Sequence, residues 1–379
     1  MLFNARAHAP IRGTVALLVL LLTATPARAQ LSLSPQPALS IGSLDGDPAY
    51  QLHQVHAARR LGDGRVLVTM GPDLRFYSAA GRHLTNAGGR GQGPGEFEYV
   101  QDVRVLPGDT LLILHFRHLV WLDPSGKYVR QRPLDLAPLM QDGWFSEGGL
   151  LLPNGDLLAP QYRQTPRGAP PVTGLRRPPL RVSLLDAARG AVIPLREAGG
   201  LRQMAVGDPP RSSVQRFSPY VQYAFGAGHV YVGDNDSTLV HRFTLDGRAQ
   251  GAITVADRPT PVTAQHVAAV RAEREAWAGA DPARRASLQS ATAIPVPSRH
   301  PYFGRLLVDP LGHLWVSSPV IPGQRETWTV FDADGRRVGA VTMPQRFTPH
   351  EIGVDYVLGV ARDEDDVEFV RMYGLRRGR

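Results

Sequence analysis

Six residues stand where they could contact a ligand: Arg90, Glu96, His115, Arg117, Asp234 and Asp236. His115, Arg117 and His118 crowd one predicted turn, and Asp234-Asn235-Asp236 forms another. Imidazole nitrogens and carboxylate oxygens are the donors that Zn²⁺ and Ca²⁺ accept. The Asp-Asn-Asp run lacks the following Gly and distal Glu of an EF-hand, so it reads better as a turn braced by its own side chains. His53 and His56 lie three apart on a strand, hence on opposite faces, and cannot share an ion. His115 and His118 meet the same objection unless a turn separates them. Arg90 and Glu96 belong to Gly89-Arg90-Gly91-Gln92-Gly93-Pro94-Gly95-Glu96-Phe97. A phosphate loop leads into a helix or ends in Gly-Lys-Ser/Thr, whereas this segment ends in Gly-Glu-Phe and enters a strand. A structural turn with Phe97 packed beneath it is the stronger reading, leaving Arg90 and Glu96 as pocket groups. No catalytic residue is assigned: there is no Gly-x-Ser-x-Gly elbow and no carboxylate pair matched by spacing.

The elements that must carry these residues repeat. A Gly- or Pro-marked turn, a short aliphatic run, a gap and a second hydrophobic segment recur five times, as in Gly64–Val68 with Leu74–Tyr77 and in Gly312–Val316 with Trp328–Arg336. One four-stranded sheet per repeat is the signature of a β-propeller. The units cover about 52–87, 99–134, 144–197, 220–256 and 303–343. A sixth, around Tyr356–Val360 and Val367–Tyr373, runs out before its last strand. Ala38–Leu44 alternates apolar and polar with period two and has no unit of its own, so it is expected to complete that sheet. The predicted fold is therefore all-β, a six-bladed β-propeller closed by the N-terminal strand, spanning 30–379.

Loop lengths distinguish the two faces of such a ring. The turns between strands A and B and between C and D are tight, whereas the long segments 160–179, 197–219, 257–302 and 317–326 all belong to the other face. Pro- and Arg-rich 160–179 is a candidate for disorder. The insertion 257–302 reads as helical and ordered before blade five: Thr263 caps one helix, whose Val267, Val270 and Trp277 share a face, and Asp281-Pro282 starts another. It is either a cover over a hydrophobic edge or a lid over the channel mouth.

The nine-residue glycine motif resembles one found in secreted bacterial six-bladed β-propeller proteins related to NHL-repeat propellers. Val308-Asp309-Pro310-Leu311-Gly312-His313-Leu314-Trp315-Val316 after a helical insertion, and the ending Val367–Tyr373, carry the same resemblance. It covers nearly the whole chain after residue 29 and implies the fold far more than an activity.

Arg6 and Arg12, the apolar run Val15–Leu22 and Ala27-Arg28-Ala29 form a signal-peptide pattern over 1–29, with cleavage expected near Ala29. An apolar core of about ten residues is too short to span a bilayer. Secretion or a periplasmic location follows. With no cysteine, the chain has neither disulfides nor an acylated anchor. The formal charge of +8 falls to about +5 once Arg6, Arg12 and Arg28 leave, and Lys127 is the only lysine. Scattered arginines without a basic, aromatic-interleaved stripe argue against nucleic acid. Two readings remain: a secreted binding or scaffolding module holding a peptide, glycan or protein at the loop-rich mouth, or a metal-dependent propeller hydrolase or lyase of lactonase-like or amidating-lyase-like type, for which Ca²⁺ or Zn²⁺ would be the cofactor.

Overall fold

The computed structural model describes residues 31–163, 168, 174–207 and 211–378. The signal-peptide pattern lies outside them, as do 164–167 and 169–173 of the stretch 160–179 expected to be disordered.

Six antiparallel sheets follow one another around a ring. Blade one runs Val55–Arg60, Val66–Met70, Asp73–Tyr77 and His83–Gly88, in strand order A to D from the axis outward. Blade two runs Asp102–Val105, Leu111–His115, His118–Leu122 and Tyr128–Pro133. Blade three splits its inner strand into Trp144–Phe145 and Leu150–Leu151, then adds Leu157–Arg163, Pro179–Asp186 and Ala191–Gly199. A hairpin, Gln203–Val206 with Arg211–Val214, leads to blade four at Val221–Gly226, His229–Asp234, Leu239–Thr244 and Ala249–Thr254. Helices α1 (Ala264–Ala278) and α2 (Pro282–Ala291) precede blade five at Leu306–Val308, Leu314–Ser317, Thr327–Phe331 and Arg337–Thr342.

Blade six takes Phe347–Ile352, Tyr356–Arg362 and Glu368–Arg377 from the C-terminal end. Its outer strand comes from the other end of the chain, with Leu39 opposite Met372 and Ile41 opposite Val370. Leu31–Leu33 extends the closure by pairing with Leu375–Arg377, an addition that 38–44 alone did not suggest.

Strands buried on both faces explain why the repeats read as continuous apolar runs rather than strict alternation. All five residues of Val66–Met70 are buried. The core divides into six clusters, one in each cleft between neighbouring blades. Trp315 and Trp328, for example, meet Phe347 and Tyr373 between blades five and six.

The recurrent C–D turn glycine answers two demands. Gly126 has φ +87°, and a Cβ there would lie 2.6 Å from Ala87 Cβ and 2.9 Å from Phe76 in the preceding blade. Gly247 abuts Ile193 of blade three in the same way. The repeat thus carries a glycine where these blades press their turns against the ones before them.

The family-like motif at blade five is a structural lock. Asp309, 1% exposed, accepts from the Trp315 indole at 2.9 Å, from the His313 backbone at 2.9 Å and from Arg377 Nη2 at 2.8 Å. It thereby joins blade five to the last strand of blade six.

Candidate functional site

Each predicted long insertion, where described, emerges on the face formed by the B–C turns and the connections between blades. The glycine segment curls around its own acid there. Glu96 Oε2 accepts from the Gly93 N–H at 2.8 Å, and a Cβ on Gly91 would overlap that carboxylate. The backbone concavity that suggested an anion site is therefore filled by Glu96 itself. Phe97 is fully buried among Leu74, Phe76, Val100 and Val120, as the structural reading expected.

A turn does separate His115 from His118. They pair directly across the hairpin, Phe116 takes φ +48°, and both imidazoles lie on one face of the blade. His115 Nε2 accepts from the Glu98 N–H at 3.3 Å, and burial followed by the neighbouring His118 holds its pKa below the ordinary value. Glu96, His115 and Arg117 line one cleft of about 590 Å³, along with Glu98, His118 and half-exposed Phe116.

The other three sequence candidates lie elsewhere. Arg90 is exposed outside that cleft, in a single bridge with Phe97. Asp234 binds Arg177 through both oxygens, at 2.6 and 3.0 Å, and accepts from the Asp236 N–H as an Asx turn does. Asp236 accepts from Arg177, Arg202 and Arg299 at 3.2, 2.7 and 2.6 Å. Between them, fully buried Asn235 accepts from the Tyr220 N–H and donates to the Phe303 carbonyl. The Asp-Asn-Asp turn is thus an anchor onto which three insertions are tied. Its arginine partners, 34 or more residues away in sequence, carry no local signal that would have revealed them.

Sequence reasoning also missed the groove that crosses this face. A cleft of about 570 Å³ beside Tyr162 and Tyr223 shares Leu201, Val214 and Tyr220 with a second of about 390 Å³ beneath α1. The second shares Glu273, Val320 and Pro322 with a third of about 790 Å³ that reaches Thr348 and Glu368 of blade six. Together they run from blade three to blade six. Burial pushes the Tyr223 phenol up to about 12, so it stays a hydrogen-bond donor.

Helix α1 roofs the middle of this groove. Thr263 caps it as expected, accepting from the His266 N–H, and Asp281 caps α2 by accepting from the N–H groups of Ala283 and Arg284. The shared-face expectation fails at Trp277, which is 62% exposed and covered on one side by Arg284. Only Ala278 of α1 is fully buried, with Val267, Val270 and Arg274 half-buried along the same stripe.

The axis does not suit a divalent cation. Arg59 donates to the His350 carbonyl at 3.0 Å, Arg104 to the Leu151 carbonyl at 2.6 Å and Arg305 to the Pro349 carbonyl at 3.2 Å. These guanidinium groups bridge neighbouring inner strands where a metal-dependent propeller would place its ligands. Among the described residues no three His, Asp or Glu side chains converge as a metal set. The residues present do not fit an axial Ca²⁺ or Zn²⁺.

No helix among the described residues is long and apolar enough to cross a membrane. No family model matches the chain, and no curated protein does. Among solved structures, a member of the DUF4221 family from Bacteroides vulgatus superposes with a TM-score of 0.51 at 10% identity, covering 93% of this chain and 100% of that one. A Bacteroides fragilis protein described as exported gives 0.47 at 12% identity over 92% and 96% of the two chains. Regucalcin from Agrobacterium tumefaciens, described as a calcium-binding protein, gives 0.42 at 16% over 87% and 93%. At such identities the first of these likenesses speaks for the fold alone, and it agrees with the ring itself: the chain is a six-bladed β-propeller.

Proposed function

We propose that this chain is a secreted binding module whose loop-rich face receives an extended peptide or a segment of a partner protein. The observation that carries this is the continuous groove from blade three to blade six and the apolar side chains left exposed along it. Tyr162 is 47% exposed, Leu201 and Val214 are 43% and Val320 is 65%. Phe116 and Trp277 stand on the same face, half-exposed or more. Aromatic and aliphatic groups contiguous along a groove supply the desolvated anchors that peptide partners need. On the opposite face Leu245, Leu311 and Val354 are exposed at turns of three different blades.

Peptides selected from a random displayed library against the purified protein test the reading. A double substitution, Tyr162→Asp with Val214→Asp, is expected to weaken the selected peptides at least about tenfold, a loss of roughly 1.4 kcal/mol. Unchanged affinity, or competition by groups bound on the opposite face, would show that the groove is not the binding surface.

A further inference from the structure

The groove's middle cleft, beneath α1, is the most specific part of this face. Arg216 and Arg274 both line it, and neither has a carboxylate within 4.0 Å among the described residues. Glu273 also lines it but pairs with neither. Arg216 Nε and Nη2 are buried with no hydrogen-bond partner among the described residues. Burial, then repulsion from Arg274 and Arg271, pulls the guanidinium pKa down, and of these neighbours only Arg271 has a carboxylate partner, Glu275.

Two buried acceptors also line this cleft. Gln215, 4% exposed, donates from Nε2 to the Pro295 carbonyl at 2.8 Å; this fixes the amide and leaves Oε1 without a donor. His300, fully buried, lies with Nε2 3.0 Å from His266 Nδ1. His266 Nδ1 already accepts from the Thr263 N–H, so the proton between the rings belongs to His300 Nε2, and His300 Nδ1 is a bare acceptor. Both orphan acceptors are buried at the cleft, and the residues that carry them line it together with Arg216 and Arg274.

The cleft therefore asks for an anionic oxygen at Arg216 and Arg274, an N–H beside it for Gln215 Oε1 or His300 Nδ1, and an apolar group against Phe217, Val270 and Val320. A carboxylate, an adjoining amide N–H and a side chain on one carbon provide all three. We propose that this cleft binds the carboxylate end of an apolar, amide-linked amino acid, supplied either by a polypeptide C-terminus or by a free N-acyl amino acid. The proposal rests on the reading of the groove as a peptide site, and it fixes the polarity and terminus of the bound chain.

The test uses calorimetric titration of the purified protein with three probes: a hexapeptide ending in phenylalanine, its C-terminal amide, and N-acetylphenylalanine. The free acid is expected to bind at least about tenfold more tightly than the amide, because only the acid engages the guanidinium pair. Arg216→Met is expected to erase that ratio, and Arg274→Met on the outer helix to reduce it, which keeps the test readable if the first variant folds poorly. Tighter binding of the hexapeptide than of N-acetylphenylalanine assigns the ligand to a polypeptide; equal binding assigns it to the free acid. Equal binding of acid and amide, or no binding of any probe, overturns the proposal. If acid and amide bind equally but Tyr162→Asp with Val214→Asp weakens both, the groove reading survives without the terminal pocket.

Discussion

Arg299 donates from Nη2 to Asp236 Oδ1 at 2.6 Å, and the same nitrogen reaches the Asp236 backbone carbonyl at 3.1 Å. That contact ties the helical insertion to blade four. The second oxygen of Asp236 holds Arg177 and Arg202, from the insertions before and after the outer half of blade three. One carboxylate, 22% exposed, thus sets the relative position of three loops that wall the groove.

Replacing Asp236 by Ala is expected to destabilise the protein by about 2–4 kcal/mol, since it removes charge-assisted bonds and leaves three part-buried guanidinium groups with less compensation. Urea unfolding measures the loss. Limited proteolysis should cut earlier near 177, 202 and 299, and an unchanged cleavage pattern would mean that the loops are held by other contacts.

The glycine segment makes a coupling prediction. Gly91→Ala should displace Glu96 from the Gly93 N–H and cost about 1–2 kcal/mol as an overpacking change. In Glu96→Ala the offending carboxylate is gone, so adding Gly91→Ala to it should cost almost nothing. A double-mutant cycle showing additive effects would place the strain elsewhere.

Ring closure makes a third. Ile41 is 1% exposed within the cluster between blades six and one, so Ile41→Ala should cost about 2–5 kcal/mol. Removing residues 31–44 should do more, lowering the melting temperature and producing concentration-dependent aggregation, because the edge at Glu368–Arg377 is then unpaired. Thermal melts with light scattering at two protein concentrations check both effects.

At the axis, burial reinforced by Arg59 and Arg305 pushes His350 down to about 3. Its unfolded value lies near 6.5, so between those limits the unfolded chain binds the extra proton and stability falls as pH falls. The slope reaches at most about 1.4 kcal/mol per pH unit for this one proton. His350→Gln should flatten the decline between pH 6.5 and 4.5 in chemical unfolding, and parallel curves for the two proteins would exclude His350 as its source.

The ring was legible because it repeats. The first five blades share the same turn glycine and the same pair of apolar runs, and the incomplete sixth copy pointed to 38–44, where Leu39–Ile41 supplies its missing strand. Phe97 was legible for a similar reason, as the single large apolar residue closing a run of glycines. The site was harder to read. Glu96, His115 and Arg117 line one cleft, but Asp234 and Asp236 resembled ligands only because carboxylates close in sequence look alike whether they meet a metal or an arginine. Their partners at 177, 202 and 299 come from three separate insertions, and no local pattern records that convergence. Trp277 misled because its spacing from Val270 fits a helical stripe, whereas the stripe that α1 turns inward runs through Arg274 to Ala278.

Blade six also dictates an order of events during synthesis. Leu31–Leu33 and Leu39–Ile41 are among the first described strands made, yet their hydrogen-bonding partner is Glu368–Arg377, among the last. Until that partner is available the early strands have no sheet to join, and the cores on either side of blade six stay incomplete. Closure is therefore a late, long-range step with a large loop entropy to overcome, and the finished ring forms only once the whole chain has been delivered.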